Sequence, residues 1–139
     1  MSTEENKATV RRSYEELWSK GNLDVVDELF VTNFVLHDPA QPGITDSEGY
    51  KQLVLTNRTA FPDLHFKVED QLAEGDKVAT RWTATGTHQG EFAGIPATGT
   101  QGMITGTTIS RIVDGKIVEE RSNWDTMGLM QQLGVIPNE

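Results

Sequence analysis

Residues 64–88, LHFKVEDQLAEGDKVATRWTATGTH, decide the fold, because Leu64, Phe66 and Val68 alternate with polar residues before Gly75 and a similar alternation runs from Val78 to Trp82 after it. A period of two is typical of a β-strand with one buried face. Gly75 can adopt the positive φ that a tight turn between two antiparallel strands requires. The stretch therefore predicts a β-hairpin.

The strand pattern continues toward the C-terminus. Asp114-Gly115 marks a second hairpin turn. We therefore expect four long strands that pair as antiparallel hairpins, at about 64–73, 77–88, 101–113 and 116–124. The glycine-rich segment 86–102 between the middle strands is predicted to be a loop at the rim of a pocket.

The residues before the hairpin follow the helical period of 3.6 instead. A first helix is predicted to begin at a capping box of Ser2 and Glu5 and to end at Gly21. Its buried stripe would be Val10, Tyr14, Leu17 and Trp18. Three further elements follow from similar patterns: a short helix over 22–30, a strand over 34–38 and a helix over 45–61, capped by Thr45 and Glu48. A short helix over 126–133 closes the chain.

Helices followed by hairpins indicate an α+β fold in one domain, 1–139. We expect three N-terminal helices to cover a strongly curved antiparallel sheet, which gives a cone-shaped barrel with a cavity. Such concave and mainly apolar cavities are the usual location of small-ligand sites.

Composition excludes several classes of function. The net charge is −9, which disfavours binding to nucleic acid or to an anionic membrane surface. The chain has no Cys, and its three His residues lack the spacing of metal ligands, so we expect no metal. The N-terminus lacks the apolar run of a signal peptide, and a cytoplasmic location is expected by default.

Six short motifs together resemble the SnoaL-like polyketide cyclase (ester cyclase) family, over about residues 8–135. They are FPDL at 61–64, EGDKVA at 74–79, GTHQG at 86–90, GIPATG at 94–99, DGKIVE at 114–119 and WDTMGL at 124–129. The resemblance implies the fold of nuclear transport factor 2 and ketosteroid isomerase. It also implies a homodimer packed through the sheets.

The resemblance further implies an activity. The cyclases that name the family close the last ring of an aromatic polyketide methyl ester by an intramolecular aldol reaction. They use a pocket aspartate as acid/base, with no cofactor, metal or covalent intermediate, and its counterpart by motif here is Asp125. Those cyclases also use a histidine on the penultimate strand, whereas residues 107–111 of this chain contain none. In the last strand, Arg121 stands where the family usually has Trp.

Asp125 and His37 are thus the candidate catalytic residues. Asp125 could alternatively cap the closing helix by accepting backbone N–H groups near Gly128. The family often has a histidine near the cavity at the position of His37, where an imidazole could relay a proton. The alternative for His37 is a strand-end residue bonded to Asp38 or to the backbone.

The candidate substrate-binding residues are polar or aromatic side chains on elements expected to surround the cavity. A hydroxyl or amide on an apolar helical stripe needs a partner, which a ligand or an internal hydrogen bond could supply. Arg81 could face either side of its strand, and the rim-loop histidine could equally be solvated. The set is Tyr14, Asn57, His88, Arg81, Trp82, Phe61 and Trp124.

Three hypotheses for function follow. The first is a cyclase or isomerase that acts on a small, hydrophobic, oxygenated substrate. The second is a noncatalytic binding or accessory protein with the same cavity. The third is an enzyme that opens an epoxide or lactone with an activated water, using Asp125, Asn57 and Arg81.

Overall fold

The chain begins with helices and continues into strands, as the sequence predicts. The computed structural model describes residues 2–136. Its helices are α1 (Thr3–Arg12), a π-helix (Ser13–Ser19) that continues α1 directly, α2 (Val25–Leu29), α3 (Ser47–Ala60) and α4 (Thr126–Gln132). Its strands are β1 (Phe30–His37), β2 (His65–Glu74), β3 (Lys77–Thr87), β4 (Gln101–Val113) and β5 (Lys116–Trp124).

The five strands form one sheet in the order β1-β5-β4-β3-β2. β2 pairs with β3, β3 with β4 and β4 with β5, all antiparallel, which confirms the predicted hairpins. β1 pairs with β5 in parallel and therefore completes the sheet at one edge. Within residues 2–136 the edge strands β1 and β2 do not pair, so the sheet is open where a cone-shaped barrel was expected; the α+β class is confirmed.

Local capping explains where the helices begin. Ser2 and Glu5 form the predicted capping box at α1. The cap of α3 differs from the prediction: Asp46 rather than Thr45 is the N-cap, and its side chain accepts the N–H of Gly49 at 2.7 Å. Gly21 ends the first helical segment with a φ of +75°.

A π-helix replaces the last turns of the predicted first helix. It buries Tyr14, Leu17 and Trp18 against the sheet. A π-helix has a wider turn than an α-helix and is frequent at functional sites. Here the π-helix holds two aromatic side chains with polar groups, Tyr14 and Trp18, on one buried face.

A β-bulge in β5 determines which side chains of this last strand face the helices. Arg111 pairs with Glu119 and Ile112 with Ile117, so Val118 is an extra residue. After the bulge, Glu120 and Ser122 are buried while Arg121 is exposed. The side chain of Arg121 therefore lies on the outer face of the sheet.

The core lies between the helices and the inner face of the sheet. It contains the predicted helical stripe together with residues of α2, β1 and α3, including Phe30, Phe34 and Tyr50. A second, smaller cluster joins α4 to the end of α3 through Leu129, Leu133, Ala60 and Phe61. No helix in the part of the chain that the structure describes is long and apolar enough to cross a membrane.

We predict that Gly106→Ala destabilises the protein because the indole of Trp82 covers Gly106. A Cβ at position 106 would approach three indole atoms more closely than 3.0 Å. Overpacking of this kind costs about 1–3 kcal/mol of unfolding free energy, measurable by urea denaturation. Gly102→Ala in the same strand is the control, because its Cβ would meet other side chains only at 3.4 Å. Equal stabilities of the two variants would contradict the packing of Trp82 on β4.

Candidate active site

A cavity lies within the core, between the helices and the inner face of the sheet. Its volume is about 110 Å³. One water needs only about 10–15 Å³, so a small organic molecule fits. The wall is mainly apolar and contains Tyr14, Trp18, Tyr50, Phe61, Phe66, Trp82, Phe92 and Trp124.

Glu120 places a carboxyl group in this apolar wall. It is only 3% exposed. Its Oε2 accepts a hydrogen bond from Ser110 Oγ at 2.6 Å, and its Oε1 accepts a longer one from Tyr50 Oη at 3.4 Å. Tyr50 Oη in turn accepts from Trp18 Nε1 at 2.9 Å. The carboxyl group is therefore held by β4, α3 and the π-helix together.

Burial raises the pKa of Glu120 from 4.5 to about 7, and the hydrogen bonds from Ser110 and Tyr50 offset part of that rise. A carboxyl group with a pKa near neutrality can both take and return a proton. Burial also raises the pKa of Tyr14 and of Tyr50, so both phenols stay neutral hydrogen-bond donors.

Hydroxyl groups beside Glu120 form a short connected chain across three strands. Trp82 Nε1 donates to Thr108 Oγ1 at 3.0 Å, and Thr108 Oγ1 lies 2.8 Å from Ser122 Oγ. The Tyr14 hydroxyl lines the same cavity as Thr108 and Ser122. These neutral groups can stabilise negative charge that develops on a substrate oxygen.

A second carboxyl group, that of Asp38, lines the cavity beyond the end of β1. It is 8% exposed. Its Oδ2 accepts from Trp124 Nε1 at 3.0 Å and its Oδ1 accepts from the N–H of Ala40 at 2.9 Å. The cavity wall, all of it within residues 2–136, contains no Lys, Arg or His. The site therefore combines two carboxyl groups with no cationic side chain.

Five of the nine residues predicted from the sequence meet at this cavity. Tyr14, Asn57, Phe61, Trp82 and Trp124 all line it. Their roles in binding remain predictions.

Asp125 does not line the cavity, although we expected it to be the aspartate of the pocket. It is exposed, and its Oδ1 accepts the N–H of Gly128 at 2.9 Å, so the helix-cap alternative is confirmed. The physical reason is the alternation of strand side chains: because Trp124 faces the cavity, its neighbour faces away. Asp125 borders a shallow surface groove on the outer face instead, together with Arg81.

His37 also lies on the outer face of the sheet, which corrects its expected place at the cavity. Arg81, whose direction the sequence left open, lies on the outer face as well. His37 Nε2 lies 3.1 Å from Glu119 Oε2, and Arg81 is paired with Asp70 at 2.9 Å. The expected partner of His37 was Asp38 or the backbone, whereas the structure pairs it across strands with Glu119. Because Arg81 and Asp125 lie apart from Asn57, the three residues of the hydrolase hypothesis do not converge.

His88 is buried behind the wall rather than exposed in it. Its ring stacks on Phe61 with centroids 5.3 Å apart, and Nδ1 lies 3.0 Å from Thr98 Oγ1. The imidazole is fully buried, and Nε2 has no hydrogen-bond partner within residues 2–136. His88 therefore supports Phe61 and the rim loop and does not itself contact the cavity.

Sequence reasoning missed Glu120 and Asp38, although one signal was available. If Trp124 faces inward, counting back by two gives Ser122 and Glu120. The bulge at Val118 hides this phase from anyone who counts forward from Ile117. Nothing in the local sequence distinguishes Asp38 from an ordinary turn residue before Pro39.

The structure offers no evident site for a metal. Among the residues from 2 to 136, no three His, Asp or Glu side chains are grouped so as to hold an ion. The cavity wall itself carries carboxyl, phenol, hydroxyl and amide groups.

The chain is similar to named ester cyclases and to solved structures. The chain is 30% identical over 131 residues to the aklanonic acid methyl ester cyclase DauD of Streptomyces sp. (strain C5), covering 88% of this chain and 78% of that protein. It is 30% identical over 119 residues to the nogalonic acid methyl ester cyclase of Streptomyces nogalater, covering 84% and 89%. The solved structure of AclR from Streptomyces galilaeus, a proposed hydroxylase, matches with a TM-score of 0.88 and 31% identity over 99% of this chain and 86% of AclR.

The family model described as SnoaL-like polyketide cyclase matches residues 8–133. This match covers all five strands, the π-helix and α4, and it includes every residue of the cavity wall. The chain therefore belongs to the SnoaL-like polyketide cyclase family.

Proposed function

We propose that this chain catalyses an aldol ring closure, or a related isomerisation, of a small, neutral, aromatic polyketide ester, with Glu120 as the general acid/base. The names of its relatives, cyclases of two methyl esters, support the class of reaction. The observation that carries the proposal is a buried carboxyl group in the cavity wall whose pKa is about 7.

The proposed reaction needs only proton transfer. The carboxylate of Glu120 takes a proton from a carbon next to a carbonyl group, which leaves an enolate. The enolate carbon then attacks a ketone carbon of the same molecule, a C–C bond forms, and the ketone oxygen becomes an alkoxide. Glu120 returns its proton to that oxygen. Every proton and electron pair is accounted for, so the proposal requires no cofactor.

The cavity supplies the other requirements of this reaction. Enolate and alkoxide oxygens need hydrogen-bond donors, and the hydroxyls of Tyr14 and Ser122 line the same cavity as Glu120. The aromatic wall excludes water and favours a flat apolar substrate. Two carboxyl groups without a cation disfavour a substrate that carries a free carboxylate, which is consistent with an ester.

We predict that Glu120→Gln lowers kcat by about 10²–10⁴-fold, the usual contribution of a general acid/base. The assay follows ring closure of aklanonic or nogalonic acid methyl ester by chromatography, together with exchange of the acidic C–H in D₂O by NMR.

Asp125→Asn is the matched control, because Asn retains the ability to cap α4. We expect its kcat to stay within about threefold of the parent value, since Asp125 lies outside the cavity. Full turnover by Glu120→Gln would disprove the acid/base role. Binding of these esters without any turnover or exchange would favour the noncatalytic alternative.

The titration of Glu120 also predicts how stability depends on pH. Its pKa is raised on folding, so the protonated group contributes stability that is fully present below about pH 4.5 and is lost as pH rises through about 7. The loss reaches about 3 kcal/mol. We predict that urea denaturation between pH 5 and 8 shows the unfolding free energy falling relative to that of Glu120→Gln, while kcat/KM rises through about pH 7. Parallel stability curves for the two proteins would contradict this prediction.

We further propose that two copies associate through the outer face of the sheet. Four large apolar side chains are exposed on this face: Leu72 (73%), Met103 (59%), Ile109 (45%) and Val113 (41%). Leu72 and Ile109 both pair with Ala79, from opposite sides, and so form one apolar row.

We predict that Ile109→Lys weakens this association at least tenfold in sedimentation equilibrium, because it places a charge in an apolar interface. Leu55→Lys is the control, since Leu55 is similarly exposed (48%) but lies on α3. A parent protein that is monomeric at micromolar concentration would contradict the proposed dimer.

A further inference from the structure

Asp38 is a carboxyl group of the cavity that the proposed reaction does not use. Its two oxygens each accept one N–H bond, from Trp124 Nε1 and from the backbone of Ala40. An ionised carboxylate has about four acceptor positions, so about two remain. With the side chain 8% exposed and lining the cavity, those positions are available mainly to a molecule inside it.

The location of Asp38 relative to Glu120 follows from the pairing of β1 and β5. Leu36 is paired with Glu120 in the parallel ladder, and Asp38 comes two residues later. Since a strand rises about 3.3 Å per residue, Asp38 lies roughly 7 Å further along the inner face than Glu120. A ligand that reaches both carboxyl groups must therefore span about one fused-ring unit.

The surroundings of Asp38 determine what kind of group it can bind. A carboxylate accepts hydrogen bonds, and no Lys, Arg or His of the described chain lines the cavity to satisfy it. Trp124, which fixes Asp38, is itself part of the wall and offers an indole beside the carboxyl group. A neutral donor on a flat ring fits this position, because an ammonium group would have to lose most of its hydration on entry.

We propose that Asp38 is a substrate-binding residue that accepts a hydrogen bond from an aromatic hydroxyl group. The substrate is then a hydroxylated aromatic ester whose O–H lies about one fused-ring unit from the carbon that Glu120 deprotonates. This inference rests on the proposed function for the identity of the substrate, but its test needs no turnover. Asp38 fixes the orientation of the ring, and Glu120 carries out the proton transfer.

The test compares 2-naphthol, which has the hydroxyl donor, with 2-methoxynaphthalene, which has the same ring and oxygen but no donor. Dissociation constants are measured by calorimetry for the parent protein, Asp38→Asn and Glu120→Gln. We expect the parent protein to bind 2-naphthol roughly tenfold more tightly than the ether, as for one hydrogen bond to a charged acceptor. Asp38→Asn should lower this ratio severalfold, because its neutral amide oxygen is a weaker acceptor than a carboxylate, whereas Glu120→Gln should retain it.

The ratio is informative because any general damage to the cavity by Asp38→Asn affects both probes alike and cancels. An unchanged ratio in Asp38→Asn would overturn the proposal, as would loss of the ratio in Glu120→Gln or failure of the parent protein to bind 2-naphthol. If Asp38→Asn does not fold, the ¹³C shift of the Asp38 carboxyl carbon in the parent protein replaces it. That shift should move with 2-naphthol and not with the ether; equal responses to both would refute the assignment. Loss of turnover in Glu120→Gln tests the proposed reaction separately.

Discussion

The extra residue Val118 determines which side chains of β5 face the helices. Ile117, before the bulge, and Glu120, after it, are both buried on the inner face. Strict alternation from Ile117 would instead turn Glu119 and Arg121 inward and Glu120 outward. Because of this one extra residue, Glu119 and Arg121 lie on the outer face and the carboxyl group of Glu120 is buried on the inner face. The proposed chemistry depends on this position of Glu120.

The bulge also places two adjacent glutamates of β5 on opposite faces of the sheet. On the outer face, Glu119 is bonded to His37 and Arg111, and these hydrogen bonds lower its pKa. On the inner face, its neighbour Glu120 has no cationic partner in the cavity wall, and burial raises its pKa. Two adjacent glutamates thus acquire opposite properties from their surroundings alone. Only the inner one suits proton transfer near neutral pH.

A buried carboxyl group reduces the stability that the same packing would give with an apolar residue. The protein offsets this through hydrogen bonds from Ser110 and Tyr50, and through aromatic packing around the site. Phe30, Phe34 and Tyr50 pack with ring centroids 4.9–5.0 Å apart, and Trp18 and Phe66 extend the cluster. Sites that carry a destabilising group for function commonly rely on such compensation elsewhere.

The sequence predicts those features that short-range patterns control. The hairpins, the helical stripe through Val10 and Trp18 and the cap at Ser2 follow from periodicity and turn residues, and all are present. The aromatic wall also follows, because buried aromatic side chains recur on both predicted layers. The carboxyl groups of the site do not follow, since Glu120 depends on a bulge defined by pairing between strands, and Asp38 depends on a contact with Trp124, 86 residues away. The expectation for Asp125 failed for the same reason, because a motif gives a position in the chain and not the face of the strand.

The proposed chemistry requires that Glu120, a buried carboxyl group, titrates near neutral pH. A pH titration of the glutamate side-chain carboxyl carbons by ¹³C NMR, in the parent protein and in Glu120→Gln, measures this directly. We expect one carboxyl resonance with an inflection at about pH 7 that is missing from the variant. If every glutamate titrates within its usual range, near pH 4.5, Glu120 is not the acid/base of this cavity.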